Sequence, residues 1–142
     1  MRIIIMATQS SSISFKKRNS FDKRIAESKK VIEKYPDKIP VIVEPNYSKN
    51  SLPLLDKEKF LVPRELTVSQ LIFIIRQRMR LEKEKALFLF VKDTLPTSQT
   101  FMSEVYASHG DPDGFLYCTV IGESTFGVSN DVLILDPLFS RS

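Results

Sequence analysis

Apolar positions along the chain change period several times, and each change marks an element. Between Ser20 and Pro36, the residues Phe21, Ile25, Val31, Ile32 and Tyr35 fall near one face at helical spacing. Ser20 suits an N-cap and Asp22 the first turn, where a negative charge meets the positive end of the helix dipole. Pro36 stops the run, because the residue before a proline is driven out of helical backbone. The pattern predicts a basic amphipathic helix over 21–35, with a shorter turn around 15–18 ahead of it. Residues 38–44 are β-branched and short and predict a strand. Pro40 has no amide donor, so at least the start of that strand borders an open or irregular edge. Pro45, Asn46, Asn50 and Pro53 mark a loop over 45–56, and 59–63 predicts a second strand stopped by Pro63. Thr67 caps a second amphipathic helix, whose broad apolar face holds Val68, Leu71, Ile72, Ile74, Ile75 and Met79. Arg76, Arg78 and Arg80 sit near its C-terminal end, where cations are favoured. The continuous apolar run 87–91 predicts a central strand. Thr100 caps a short helix with Met102, Val105 and Tyr106, a turn-rich loop follows over 109–114, and 115–121 predicts the last strand.

The order is helix, strand, strand, helix, strand, short helix, strand. It implies an α+β two-layer plan: one four-stranded mixed sheet with a covering helix, in the β-grasp order, preceded by an N-terminal helical extension. The length of 142 residues suits a single domain. Residues 1–14 are expected to be a flexible extension, because 8–14 are polar and Ser-rich. The opening Met1-Arg2-Ile3-Ile4-Ile5-Met6-Ala7 is loosely like a signal peptide, but its apolar stretch is shorter than such a segment needs, and Met6 is a second candidate start.

Charge and reactive residues narrow the function. Residues 1–80 carry 17 Lys/Arg against 8 Asp/Glu, whereas 81–142 carry 4 against 9. The basic half suits an acidic peptide, an anionic membrane or tubulin's acidic tails, or it is simply a solvated helix face. It lacks the interleaved aromatic and basic strand of an RNA-binding sheet, so no nucleic-acid partner is expected. With one His, a Ser/His/Asp triad or a Cys118/His109 dyad could be built only around His109, which has no positioned nucleophile nearby in sequence. One Cys cannot form a Cys-based metal site, and no phosphate-binding loop is present. Cys118 lies mid-strand, where a thiol is usually core filler, and His109 lies in the turn-rich loop. No enzyme activity, metal or cofactor is expected.

The runs Lys34-Tyr35-Pro36-Asp37-Lys38-Ile39-Pro40-Val41-Ile42-Val43-Glu44, Asp56-Lys57-Glu58-Lys59-Phe60-Leu61-Val62-Pro63, Leu66-Thr67-Val68 and Ala86-Leu87-Phe88-Leu89-Phe90-Val91 occur in order. Together they closely resemble the autophagy ubiquitin-like modifiers of the GABARAP and light-chain-three group. The resemblance spans about residues 15–127, the expected modifier domain. It implies scission by a cysteine protease after Gly127, which follows Phe126, and removal of 128–142, beginning with Val128. Activating and conjugating enzymes would then pass the glycine carboxyl through thioesters to the amine of phosphatidylethanolamine. That would turn a cytoplasmic protein into one attached to the autophagosome membrane. From the residues alone, Gly127 reads rather as merely ending the last strand; scission there is what the resemblance implies.

The resemblance also implies capture of short peptides that carry an aromatic residue and, three positions on, an aliphatic one, as in cargo receptors and autophagy factors. Its aromatic pocket maps onto Glu27, Val31, Pro40, Ile42, Lys59, Leu61 and Phe115. Its aliphatic pocket maps onto Phe60, Val62, Pro63, Leu66, Leu71, Ile74 and Arg78. Lys57 and Lys59 would steer acidic residues preceding the peptide core. Val31, Phe60 and Leu71 depart from the isoleucine, tyrosine and phenylalanine common there, so peptide preference is open. Core packing explains most of these residues equally well.

Overall fold

Strand side chains alternate between two faces, and here both faces of the central strand are apolar. The computed structural model describes residues 3–5, 13–46 and 52–122. Strand β1 is Ile4–Ile5; helices α1 (Phe15–Arg18) and α2 (Phe21–Lys34) lead into β2 (Lys38–Pro45) and β3 (Lys59–Pro63). Helix α3 (Val68–Met79), β4 (Leu87–Phe90), α4 (Met102–His109) and β5 (Leu116–Gly122) follow. The sheet runs β1-β3-β2-β5-β4. β2 is antiparallel to β3 and parallel to β5, and β4 is antiparallel to β5. The four-stranded mixed sheet with its covering helix is the expected ubiquitin-like β-grasp, with a short fifth strand added outside β3.

Local chemistry starts the helices where expected. The Ser20 hydroxyl accepts from the Lys23 amide at 3.2 Å. Thr67 forms a reciprocal box: its hydroxyl accepts from the Gln70 amide at 3.3 Å, and the Gln70 side chain accepts from the Thr67 amide at 2.9 Å. Pro40 is tolerated in a central strand for a geometric reason. The Val43 amide donates to Glu58 at 2.8 Å, so odd-numbered residues of β2 point toward β3 and even-numbered ones toward β5. Pairing with β5 begins only at Val41 and Leu116, so the donor that Pro40 lacks has no strand to meet.

The alternation divides the core. Ile39, Val41, Val43, Phe60, Val62, Leu116, Cys118 and Val120 pack with Leu71, Ile75 and Met79 of α3 and with Met102 and Val105 of α4. On the opposite face Ile42 and Phe115 pack against Phe15 of α1, with Tyr117 at the margin.

Three expectations need correction. The run 87–91 is not a central strand: β4 lies at the sheet edge. Leu87 and Leu89 bury in the core while Phe88 and Phe90 are half-buried on the other face, so an unbroken apolar run does not by itself mark the sheet centre. Thr100 does not cap α4; its hydroxyl bonds that of Thr97 at 2.7 Å. Phe101 takes the cap position, and the Glu104 carboxylate accepts from its amide at 3.0 Å. Within the extension expected to be flexible, Ile4 and Ile5 pair with Leu61 and Phe60, because three consecutive apolar residues can cover an open strand edge.

Candidate functional site

The outer edge of strand β3, away from β2, is paired over Phe60 and Leu61 by the short strand β1. The register alternation turns Phe60 and Val62 toward β2, so the backbone N–H and C=O of Leu61 face outward. A cavity opens on each side of this edge. The first, about 410 Å³, lies between β3 and α2 and is lined by Ile4, Glu27, Lys30, Val31, Lys34, Tyr35 and Leu61. The second, about 480 Å³, lies against α3 and is lined by Leu66, Ser69, Gln70, Phe73 and Ile74.

The residues expected in the aromatic pocket separate into a rim and a floor. Glu27, Val31 and Leu61 line the first cavity. Pro40 is buried opposite Leu61 across the ladder. The Lys59 ammonium pairs with the Glu27 carboxylate and lies 5.4 Å from the Phe15 ring centre. Ile42 and Phe115 are closed off beneath Phe15, whose ring meets Phe115 edge-on at 5.4 Å. The aliphatic set divides likewise. Leu66 and Ile74 line the second cavity, while Phe60, Val62 and Leu71 are fully buried in the main core below. Pro63 is half-buried, and Arg78 donates to Asp56 at 2.7 Å. Lys57 is half-buried just before β3.

Sequence reading missed several lining residues. Lys30 and Lys34 follow Glu27 at three and seven positions, the helical spacing that puts them on the same face, but their charge reads as a solvated surface. Ser69, Gln70 and Phe73 sit on the outer side of α3, where Phe73 is 59% exposed. Ile4 carried no periodic signal at all.

Electrostatics hold the leading helices over the sheet. Asp113 is buried, pairs with Arg24 at 2.6 Å, and accepts from the Tyr117 hydroxyl at 2.5 Å and the Phe115 amide at 2.9 Å. Burial, with Asp113 beside it, pushes the Tyr117 phenol well up, and the bond to Asp113 raises the Arg24 guanidinium. Ser28 of α2 donates to the Asp113 carbonyl at 2.5 Å. Gly114 makes room for it: φ is +95°, and a Cβ there would lie 2.3 Å from the Ser28 hydroxyl. Arg18 pairs with buried Glu58, and Lys16 with Asp111 at 2.6 Å. Burial raises Glu58 despite Arg18. Cys118 is fully buried and its thiol is pushed up to about 12 by burial, which leaves it an inert core group. His109 is the last residue of α4 and half-buried, rather than part of the loop after it.

Phe126, Gly127 and Val128 lie outside the described residues. The sequence model of the family described as "Autophagy protein Atg8 ubiquitin like" matches residues 23–127. Autophagy-related protein 8a of Arabidopsis thaliana is 51% identical over 114 residues, covering 80% of this chain and 93% of that protein. Autophagy-related protein 8 of Candida glabrata is 52% identical over 114 residues, covering 80% of this chain and 96% of that protein. The crystal structure of Trypanosoma brucei ATG8 is similar with a TM-score of 0.75 and 40% identity, covering 82% of this chain and 100% of that one. With this sheet order and these relatives, the chain belongs to the Atg8 family of autophagy ubiquitin-like proteins.

Proposed function

We propose that the chain is a modifier joined through Gly127 to phosphatidylethanolamine, acting in autophagosome formation and recruiting cargo receptors by their short peptides. The observation that carries this reading is where the family match stops. It ends at Gly127, with 128–142 lying beyond it. In the proposed sequence a cysteine protease hydrolyses the bond between Gly127 and Val128 and frees a glycine carboxylate. Activating and conjugating enzymes carry that carboxyl as thioesters, and the lipid amine displaces the last thiol to form an amide. A glycine has no side chain to obstruct a narrow catalytic channel. The lipid brings two acyl chains, and two anchor stably where one does so only marginally. Attachment moves the protein from the cytoplasm to the autophagosome membrane.

The β3 edge supports the adaptor half of this reading. A peptide strand added there would bond the outward backbone of Leu61 and send alternate side chains toward the two cavities. Lys30 and Lys34 beside the first cavity, with Lys57 nearby, would attract acidic flanking residues. Mass spectrometry of the C-terminal peptide from starved cells tests the conjugation. The expected species ends at Gly127 and carries a phospholipid, and Gly127→Ala abolishes both the adduct and membrane association. A full-length terminus with unchanged membrane association in Gly127→Ala would reduce the chain to an unconjugated docking module.

A further inference from the structure

We infer that the chain carries its own competitor for the β3 edge: the segment Ile3-Ile4-Ile5 occupies the place where a peptide strand would add. This deepens the adaptor reading and rests on it.

Three observations place the segment there. Ile4 stands opposite Leu61 and Ile5 opposite Phe60 in an antiparallel ladder, so the outward backbone of Leu61 faces β1 instead of solvent. Ile4 forms part of the wall of the first cavity, beside Leu61 and across from Glu27 and Val31. Ile3, on the alternate face, packs against the main core. The segment therefore uses both elements of strand-addition recognition, backbone pairing and alternating apolar side chains.

The same geometry makes the segment displaceable. Among the described residues its ladder is two residues long. Ile3 packs against the main core and Ile4 against the first cavity, so neither side chain fills the cavity formed by Leu66, Phe73 and Ile74. An external peptide that reaches both cavities gains contacts the segment cannot make. Being tethered ahead of α1, the segment competes as an intramolecular ligand, without dilution. It sets a threshold: weak peptides are excluded, and those that fill both cavities get through.

The test uses the full chain with Ile3→Asp and Ile4→Asp together, which place two charges where apolar contacts were, and Ile4→Val as the conservative control. Two quantities are measured: hydrogen exchange of the Leu61 amide, and calorimetric affinity for a synthetic peptide carrying tryptophan and, three positions on, leucine. In the double variant, Leu61 exchange is expected to speed up and peptide affinity to rise about ten-fold, the gain if the edge is free about one-tenth of the time in the native chain. Ile4→Val stays close to the native values. Equal Leu61 exchange in native and double variant overturns the occupancy. Faster exchange with unchanged affinity overturns the competition. Faster exchange with no peptide binding by either protein also ends the competition, and in that case the fault lies in the adaptor reading, since the pairing itself has been seen.

Discussion

On the α3 face of the sheet, Phe60, Val62, Leu71 and Ile75 are fully buried in a cluster made of apolar side chains. On the α1–α2 face Phe15, Ile42 and Phe115 form the buried cluster, and four ion pairs connect the helices to the sheet and its loops around it: Lys16–Asp111, Arg18–Glu58, Arg24–Asp113 and Glu27–Lys59. The contrast matters because the two kinds of attachment scale differently. Each buried large apolar side chain contributes roughly 1.5–3 kcal/mol, without strict geometry. A buried ion pair roughly breaks even against its desolvation, yet removing one partner is costly. The α3 face is therefore the stability of the domain. The α1–α2 face is a docked layer whose position depends on a few directed bonds, and it is the layer that shapes the first cavity.

The largest effect expected from this contrast lies on the apolar face. Phe60→Ala should cost about 4 kcal/mol, the transfer loss plus the cavity left beneath α3. Urea unfolding followed by circular dichroism measures it, and the whole domain should unfold earlier in one transition. A loss well under half that size would mean the core collapses around the gap and the face is less closely packed than its burial implies. On the other face, Arg24→Met keeps the side-chain length but leaves the buried Asp113 carboxylate with the Tyr117 hydroxyl and the Phe115 amide. About 3 kcal/mol is expected, concentrated in the docking of α2. Hydrogen exchange should show amides of α2 losing protection while those of β2 and β5 keep theirs. Uniform loss across both would abolish the distinction between core and docked layer.

That distinction also explains what sequence reasoning could reach. Ser20 and Thr67 act within three residues of themselves, so both cap assignments and the helices they open are legible in the chain. Strand periods are equally local, and β3 runs over 59–63 as expected. Strand order is not local. Phe88 and Phe90 make 87–91 look buried on both sides, and only the long-range pairing with β5 reveals an edge. The candidate site shows the same limit. Glu27, Val31, Leu61, Leu66 and Ile74 line cavities, but Ile42, Phe115, Phe60 and Leu71, equally apolar in sequence, are covered by Phe15 or by the core. Apolar character predicts burial and does not say which side the burial comes from. Ile3-Ile4-Ile5 is too short to show a period, and its role emerges only from the strand it lies beside.

The smallest effect expected separates two carboxylates on the charged face by sign. Burial tends to raise Asp111, but the Lys16 ammonium and bonds from Asp113 outweigh it and hold the carboxyl below its ordinary 3.8. Its contribution is complete above that value and is lost as pH falls through the lower, folded one. Glu58 works the other way. Burial holds its carboxyl above the ordinary 4.5 although Arg18 opposes the shift, so the folded chain binds that proton more tightly than the unfolded chain does. Stability from this group therefore rises as pH falls through the raised value toward 4.5, and then levels off. Thermal unfolding of the native chain and of Glu58→Gln between pH 7 and pH 3 resolves the two. The native midpoint should gain on the variant as pH drops toward 4.5, and both should fall together below the ordinary 3.8, where Asp111 takes up its proton more readily in the unfolded chain than in the folded one. Asp111→Asn should remove only that last fall. A native chain that instead lost ground to Glu58→Gln on acidification would mean that the Arg18 bond outweighs the burial of Glu58, making that pair a net fastener of α1 rather than a cost the Phe15 cluster has to offset.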